Sequence, residues 1–217
     1  MKIIIYTGLS ISFEDAKAIL NSDNDNEIIY KCPIKRGDIL RDLDEKVDII
    51  GIIDGVFHKS PAVAHKEILD VINSKVKIIG SSSMGALRAS ELDSLGMIGI
   101  GHVYREYSNG NITSDDDVAV ILDPDSLEQL SDALVSIDYN LNEAIKNKII
   151  TKKEKEELIK IAKSIYYPNR NYKNILDKCD LDDLKKEKLI DFIKSSKDIK
   201  NEDAKELLNY IKQTIKW

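Results

Sequence analysis

Short β-branched runs alternate with amphipathic stretches along the first hundred residues. Lys2–Tyr6 is the first such run and closes at Thr7-Gly8. Ser12 then stands as an N-cap before Phe13, Ala16, Ile19 and Leu20, which fall on one helical face. Glu27–Tyr30 predicts a second strand and Gly37–Leu43 a short helix. Val47–Ile53 is an almost unbroken apolar run ending at Asp54-Gly55. Pro61 predicts the opening of a helix that continues through Val71-Ile72, burying Val63, Ile68, Leu69 and Ile72. Val76–Ile79 predicts another strand; Gly80-Ser81-Ser82-Ser83 follows, and a helix from about Met84 to Leu95. Val103–Tyr107 suits either a strand or the start of a helix.

Strands that are apolar throughout are covered on both faces, as in parallel sheets. With helices between them, the pattern predicts an α/β, Rossmann-like layered domain with a mostly parallel sheet. After Asp115-Asp116-Asp117 the period becomes helical, over Leu127–Leu134, Asn142–Ile150, Thr151–Ile165, Leu181–Ser195 and Glu202–Trp217. Tyr166-Tyr167-Pro168-Asn169 breaks that series. The expected organisation is an α/β core over 1–125 and a helical C-terminal region over 126–217.

Composition narrows the class. The 217 residues are 42% hydrophobic and 32% charged, which describes a globular chain and excludes a disordered or fibrous one. Thirty-two Lys+Arg against 38 Asp+Glu leave a net charge of −6, so a nucleic-acid partner is not expected. The charge is uneven: residues 1–145 carry 13 basic and 25 acidic side chains, residues 146–217 carry 19 and 13. No apolar run approaches the roughly 18–20 residues of a membrane span. Met1-Lys2 leads directly into Ile3-Ile4-Ile5-Tyr6, too short for a signal-peptide core, so a cytoplasmic protein without a membrane partner is expected. Cys32 and Cys179 lack CxxC or CxxH spacing, which gives no support to a disulfide framework or a zinc site. No metal or cofactor is expected.

Open parallel sheets bind ligands outside the carboxyl ends of their strands. Three stretches fall there: Thr7-Gly8, Asp54-Gly55-Val56-Phe57-His58 and Gly80-Ser81-Ser82-Ser83-Met84-Gly85. The third resembles a nucleophile elbow with Ser83 at its tip, although Ser81 occupies the first glycine position of G-x-S-x-G. The Met84 and Gly85 amides, at a positive helix end, would then face an oxyanion. Serines before a helix also serve as ordinary N-caps, and such an end also binds phosphate or carboxylate, so three readings stand side by side. Arg88 suits a clamp on an anion or an ion pair with Glu91 at i+3. His58 can act as a general base from the second stretch; His65 suits a solvated helix face or a base; His102 lies in a later loop. Asp54 can orient a base, ligate Mg²⁺ or cap a turn. Lys59 and Lys66 leave a Ser–Lys arrangement open. Asp115-Asp116-Asp117 reads as a solvated turn, since three adjacent carboxylates do not converge on one ion.

Several of these segments occur together in one family. Asp54-Gly55-Val56-Phe57, Val63-Ala64-His65-Lys66-Glu67-Ile68-Leu69 and Gly80-Ser81-Ser82-Ser83-Met84-Gly85-Ala86-Leu87-Arg88-Ala89 resemble the TfuA-like proteins. So do Glu91-Leu92, Gly96 through Gly101, Tyr107 with Gly110, and Asp116-Asp117-Val118-Ala119, together with the earlier Pro33 and Arg36-Gly37-Asp38. The resemblance covers about residues 1–120 and leaves the helical remainder outside. Ser81 and Ser90 stand where that family more usually has Ala.

The resemblance implies a partner of a YcaO enzyme in peptide backbone thioamidation. There the YcaO protein activates a peptide amide with ATP, and a sulfur donor replaces the oxygen. A TfuA-like protein is expected to hydrolyse the thiocarboxylated C-terminus of a ubiquitin-like, ThiS-like carrier and so deliver sulfide to a substrate peptide or protein. On this expectation Ser83 attacks, or a histidine activates water; His58 or His65 is the base and Asp54 orients it. Ser82, Met84, Gly85, Arg88 and Lys66 meet the substrate. The alternative is a non-catalytic adaptor that recruits carrier or peptide to YcaO, docking through the lysines of Thr151–Lys163 and Lys185–Lys188. Phosphate or nucleotide binding at the strand ends is a third reading, without a Walker lysine or a complete GxGxxG.

Overall fold

The computed structural model of the chain describes residues 1–217 except 24, 44–45, 58–59, 122–128 and 216–217. Five strands form one wholly parallel sheet: β1 Lys2–Tyr6, β2 Glu27–Lys31, β3 Ile49–Ile52, β4 Lys77–Ser81 and β5 Ile98–Ile100. Their spatial order is β2-β1-β3-β4-β5, with Ile4 facing Ile29 on one side and Ile50 on the other. The α/β layered fold expected from the apolar runs is the fold observed.

Period-2 alternation sends the strand side chains to two faces. Ile3, Ile5, Ile49, Ile53 and Ile79 pack in one cluster with Ala16 and Leu20 and with Ala204, Leu207, Leu208 and Ile211. That face is covered by α1 (Phe13–Ile19) and α10 (Ile199–Thr214). Toward the other face lie α2 (Asp38–Leu43), α3 (His65–Asn73) and α4 (Met84–Leu92), the last two against β4. Ser12 caps α1 as its position predicts, its Oγ accepting from the Asp15 N–H at 3.0 Å. Val103–Tyr107 resolves as helix, within α5 (His102–Ser108).

Several boundaries differ from expectation; the helix expected over Asn142–Ile150, for one, spans Leu134–Lys146. Pro61 does not open α3: residues 61–64 precede the helix, and the Pro61 carbonyl accepts from the Arg36 N–H at 3.0 Å. The larger difference is the division of the chain. One compact unit is Met1–Thr113 with Ile199–Trp217; the other is Ser114–Asp198. The split expected at 125/126 leaves the last helix with the wrong partners, because the buried leucines of α10 fill the sheet's core cluster.

The second unit contains α6 (Leu134–Lys146), α7 (Lys152–Ser164), α8 (Tyr172–Leu176) and α9 (Asp183–Ser195) around Ile137, Leu141, Leu158, Ala162 and Leu189. Thr151 and Glu154 form a reciprocal capping box at α7. Of the helix expected over Leu127–Leu134, residues 127–128 lie outside the described residues and 129–133 are not helical. Asp115–Asp117 is a short 3₁₀ turn capped by Ser114.

Candidate functional site

The strand ends are built around buried polar groups. Asp54, two residues past the end of β3 and 1% exposed, accepts from the N–H groups of Gly8, Leu9 and Ser10 at 2.8–3.1 Å. Its other oxygen accepts from the Ser10 hydroxyl at 2.6 Å. The carboxylate therefore fixes the loop after β1. It orients no histidine among the described residues.

The β4–α4 turn has the sharpness expected of an elbow, but its strained residue is Ser82, at φ 66°. The Ser81 carbonyl accepts from the Ser83 N–H at 2.8 Å, closing a three-residue turn around Ser82. Such tightness requires glycines: a Cβ on Gly85 would lie 1.8 Å from the Ile52 carbonyl oxygen, and one on Gly80 2.0 Å from the Gly85 oxygen. The Gly85 N–H donates to the Ile53 carbonyl at 3.3 Å and is not free for an oxyanion. The Met84 N–H has no acceptor among the described residues, and the Ser83 hydroxyl, on a residue 3% exposed, makes no hydrogen bond there either.

The first turn of α10 closes this side of the crevice. Ser82 Oγ, fully buried, donates to the Lys200 carbonyl and Ser81 Oγ to the Asp203 carbonyl, each at 2.8 Å. Asn201 Nδ2 donates to the Ser10 carbonyl at 2.8 Å. The two oxygens of Asp203 accept from the N–H groups of His102 and Val103, both at 2.7 Å. Burial pushes the Asp203 carboxyl up to about 6, against the opposing pull of those two amides. Ser82, expected to meet a substrate, is thus engaged by the chain itself.

A second cluster joins the N-terminus of α3 to α4. His65 Nε2 lies 2.8 Å from Glu91 Oε2, and the same oxygen accepts from Arg88 Nη1 at 2.6 Å. Arg88 Nε also donates to the Val63 carbonyl at 3.2 Å, and the side chain is only 13% exposed. Arg88 therefore positions Glu91, as its i+3 spacing allowed, instead of standing open to an anion. Against a carboxylate, His65 Nε2 must be the donor, which leaves Nδ1 as the basic nitrogen of the neutral ring. Next to it, Lys66 is exposed with no ionic partner among the described residues. Glu67 is structural: Oε2 accepts from the Gly37 N–H at 2.8 Å and Oε1 from the Ala64 N–H at 3.4 Å.

The structure thus gathers Asp54, Ser82, Ser83, Met84 and Gly85 at the strand ends, and His65, Arg88 and Glu91 on the helices beside them, with no hydrogen bond between Ser83 and His65. His58 and Lys59 lie outside the described residues. Glu91 is the residue sequence reasoning assigned only to Arg88; its pairing with His65 spans 26 positions. Among the described residues no group of three or more His, Cys, Asp or Glu side chains could hold a metal ion, and no helix is long and apolar enough to cross a membrane.

The fold and these clusters define an α/β layered protein with a polar elbow at its strand ends and a His–Glu–Arg group alongside. The family model described as TfuA-like protein matches residues 54–171, more than half of the sequence, and the chain belongs to that family. The match takes in Asp54, His65, Ser81 to Gly85, Arg88 and Glu91 and runs on through α6 and α7, beyond the expected limit near residue 120; it begins at Asp54, so the resemblance expected over residues 1–53 lies outside it. Membership associates the chain with YcaO-type thioamidation. No curated protein matches it. Among solved structures it is similar to the RcsB response regulator of Salmonella typhimurium, at 12% identity over 98% of this chain and 99% of that one. The TM-score of 0.32 is too low for that likeness to carry an argument.

Proposed function

We propose that this protein delivers sulfide to a YcaO enzyme by hydrolysing a thiocarboxylated ubiquitin-like carrier, with water as the nucleophile and His65 as its base. The observation that carries the reading is the 2.8 Å contact of His65 Nε2 with Glu91. A carboxylate on one ring nitrogen fixes the tautomer, stabilises the imidazolium and leaves the other nitrogen to take a proton. Water would attack the thiocarboxylate carbon and yield its proton to Nδ1, which passes it to the sulfur; hydrosulfide then departs with the C–S electron pair, leaving the carrier as a carboxylic acid that ionises to buffer. Lys66 supplies the nearby positive charge that an anionic acyl group needs. Ser83, only 3% exposed and with no side-chain cap hydrogen bond at α4, takes no covalent role in this reading.

A second reading, a non-catalytic adaptor that brings carrier or peptide to YcaO, is favoured by the burial of Ser81, Ser82 and Ser83. Sulfide release from thiocarboxylated carrier separates the two. The hydrolytic reading expects His65→Ala to lower the rate about 10²–10⁴-fold, the usual worth of a general base. Glu91→Gln should lower it less, and Ser83→Ala should leave most of it. Carrier binding without turnover by the unmodified protein would establish the adaptor instead.

A further inference from the structure

A cleft of about 500 Å³ opens on the sheet's other side, at the carboxyl ends of β1 and β2. Tyr6, Lys31, Cys32, Lys35, Val56 and Ser60 are among its lining residues. Neither site cluster above uses any of these residues. The size suits a small ligand, and the place, at the edge of the β1/β3 point where strand order reverses, is where open parallel sheets hold theirs.

The charges say which kind. Tyr6 and Lys31 both bond the buried Asp42, and Arg41 pairs with Asp38. Lys35, exposed, has no ionic partner among the described residues, so among them it is the cleft's uncompensated cation. The backbone excludes a phosphate nest. Lys35 N–H donates to Asp38 Oδ2, Arg36 N–H to the Pro61 carbonyl, Gly37 N–H to Glu67 Oε2 and Asp38 N–H to the Lys35 carbonyl. With those four amides taken, the described residues of the cleft offer the unpaired Lys35 ammonium and the Ser60 hydroxyl, a match for a monoanion and not for a dianion. We propose that this cleft is a carboxylate-binding site, Lys35 holding a single carboxyl-type group beside the Cys32 thiol. It goes beyond the hydrolytic reading and is independent of it, since neither carrier nor turnover enters its test.

Cys32 is exposed and Cys179 buried, so Cys32 can report on the cleft in the full chain. Alkylation by iodoacetate and by iodoacetamide forms the same Sγ–C bond and expels iodide, the thiol proton passing to buffer; only the first reagent carries a carboxylate. At low salt, the iodoacetate-to-iodoacetamide rate ratio at Cys32, followed by peptide mass spectrometry, should fall about fivefold in Lys35→Gln, the factor one charge about 4 Å away gives in water. Acetate and N-acetylglycylglycine should each slow alkylation if any small carboxylate binds. Slowing by the dipeptide alone would still support the site and assign it to a peptide chain end. An unchanged ratio in Lys35→Gln, or slowing equal to that by N-acetylglycylglycinamide, which has no carboxylate, overturns the proposal.

Discussion

Leu207→Ala tests whether α10 belongs to the sheet. Leu207 is fully buried among Ile3, Ile5, Ile49 and Ile211. Its Cδ2 lies 3.2 Å from where Gly51, at the centre of β3, would carry a Cβ. Truncation removes the equivalent of three methylene groups, about 2.4 kcal/mol at about 0.8 each. Beneath the hole is a glycine with no side chain to move into it, so a cavity persists and the total rises to about 4 kcal/mol. That is a large part of the 5–15 kcal/mol by which a typical domain is stable. Urea unfolding followed by far-UV circular dichroism gives the total. Hydrogen exchange with peptide mass analysis gives its place, which should be the peptides of β1, β3 and β4. A loss below about 1 kcal/mol, or one confined to peptides within 114–198, would refute the assignment of α10 to the sheet's core.

Other consequences follow from the strand ends. Asp54→Ala should cost about 3 kcal/mol by thermal or urea unfolding, because the buried amide and hydroxyl of Ser10 and the part-buried amides of Gly8 and Leu9 lose their acceptor; an unaltered stability would restore a purely catalytic role. Gly85→Ala, forced 1.8 Å from the Ile52 oxygen, should cost about 3 kcal/mol or more, since what it meets is backbone. Asp203, raised from 3.8 to about 6, binds its proton more tightly folded than unfolded, so its contribution is full below about pH 4 and is lost as pH rises through 6. Over that window the stability difference between the unmodified protein and Asp203→Asn should change by about 3 kcal/mol, measured by denaturant unfolding at stepped pH; a flat difference would place the carboxyl near its ordinary range.

What could be read in advance was what is local. The Ile-rich runs at residues 3–5 and 49–53 announced parallel strands, and Ser12 and Thr151 announced helix starts, because β-branched burial and N-capping act within a few residues. The strand β5 gives no such signal: it has three residues, the middle one glycine, too little for period-2 alternation. The placing of α10 was invisible for a different reason. Its amphipathic pattern shows that a face is buried but not against what, and its polar ties run from Ser81 and Ser82 to residues more than a hundred positions away. The candidate site shows the same division. The Gly80–Gly85 stretch marked the elbow, and the i+3 spacing marked Arg88 with Glu91. Nothing local could show that Ser82, not Ser83, takes the strained position, that Asp54 is held by the β1 loop, or that Glu91 reaches His65.

The most direct test of the central claim is the mass of thiocarboxylated carrier after incubation with the isolated protein in heavy-oxygen water. Hydrolysis by activated water predicts conversion to a carboxylate carrying one heavy oxygen, with stoichiometric sulfide and little conversion by His65→Ala. Unconverted carrier bound to a folded protein, or conversion undiminished in His65→Ala, would contradict it.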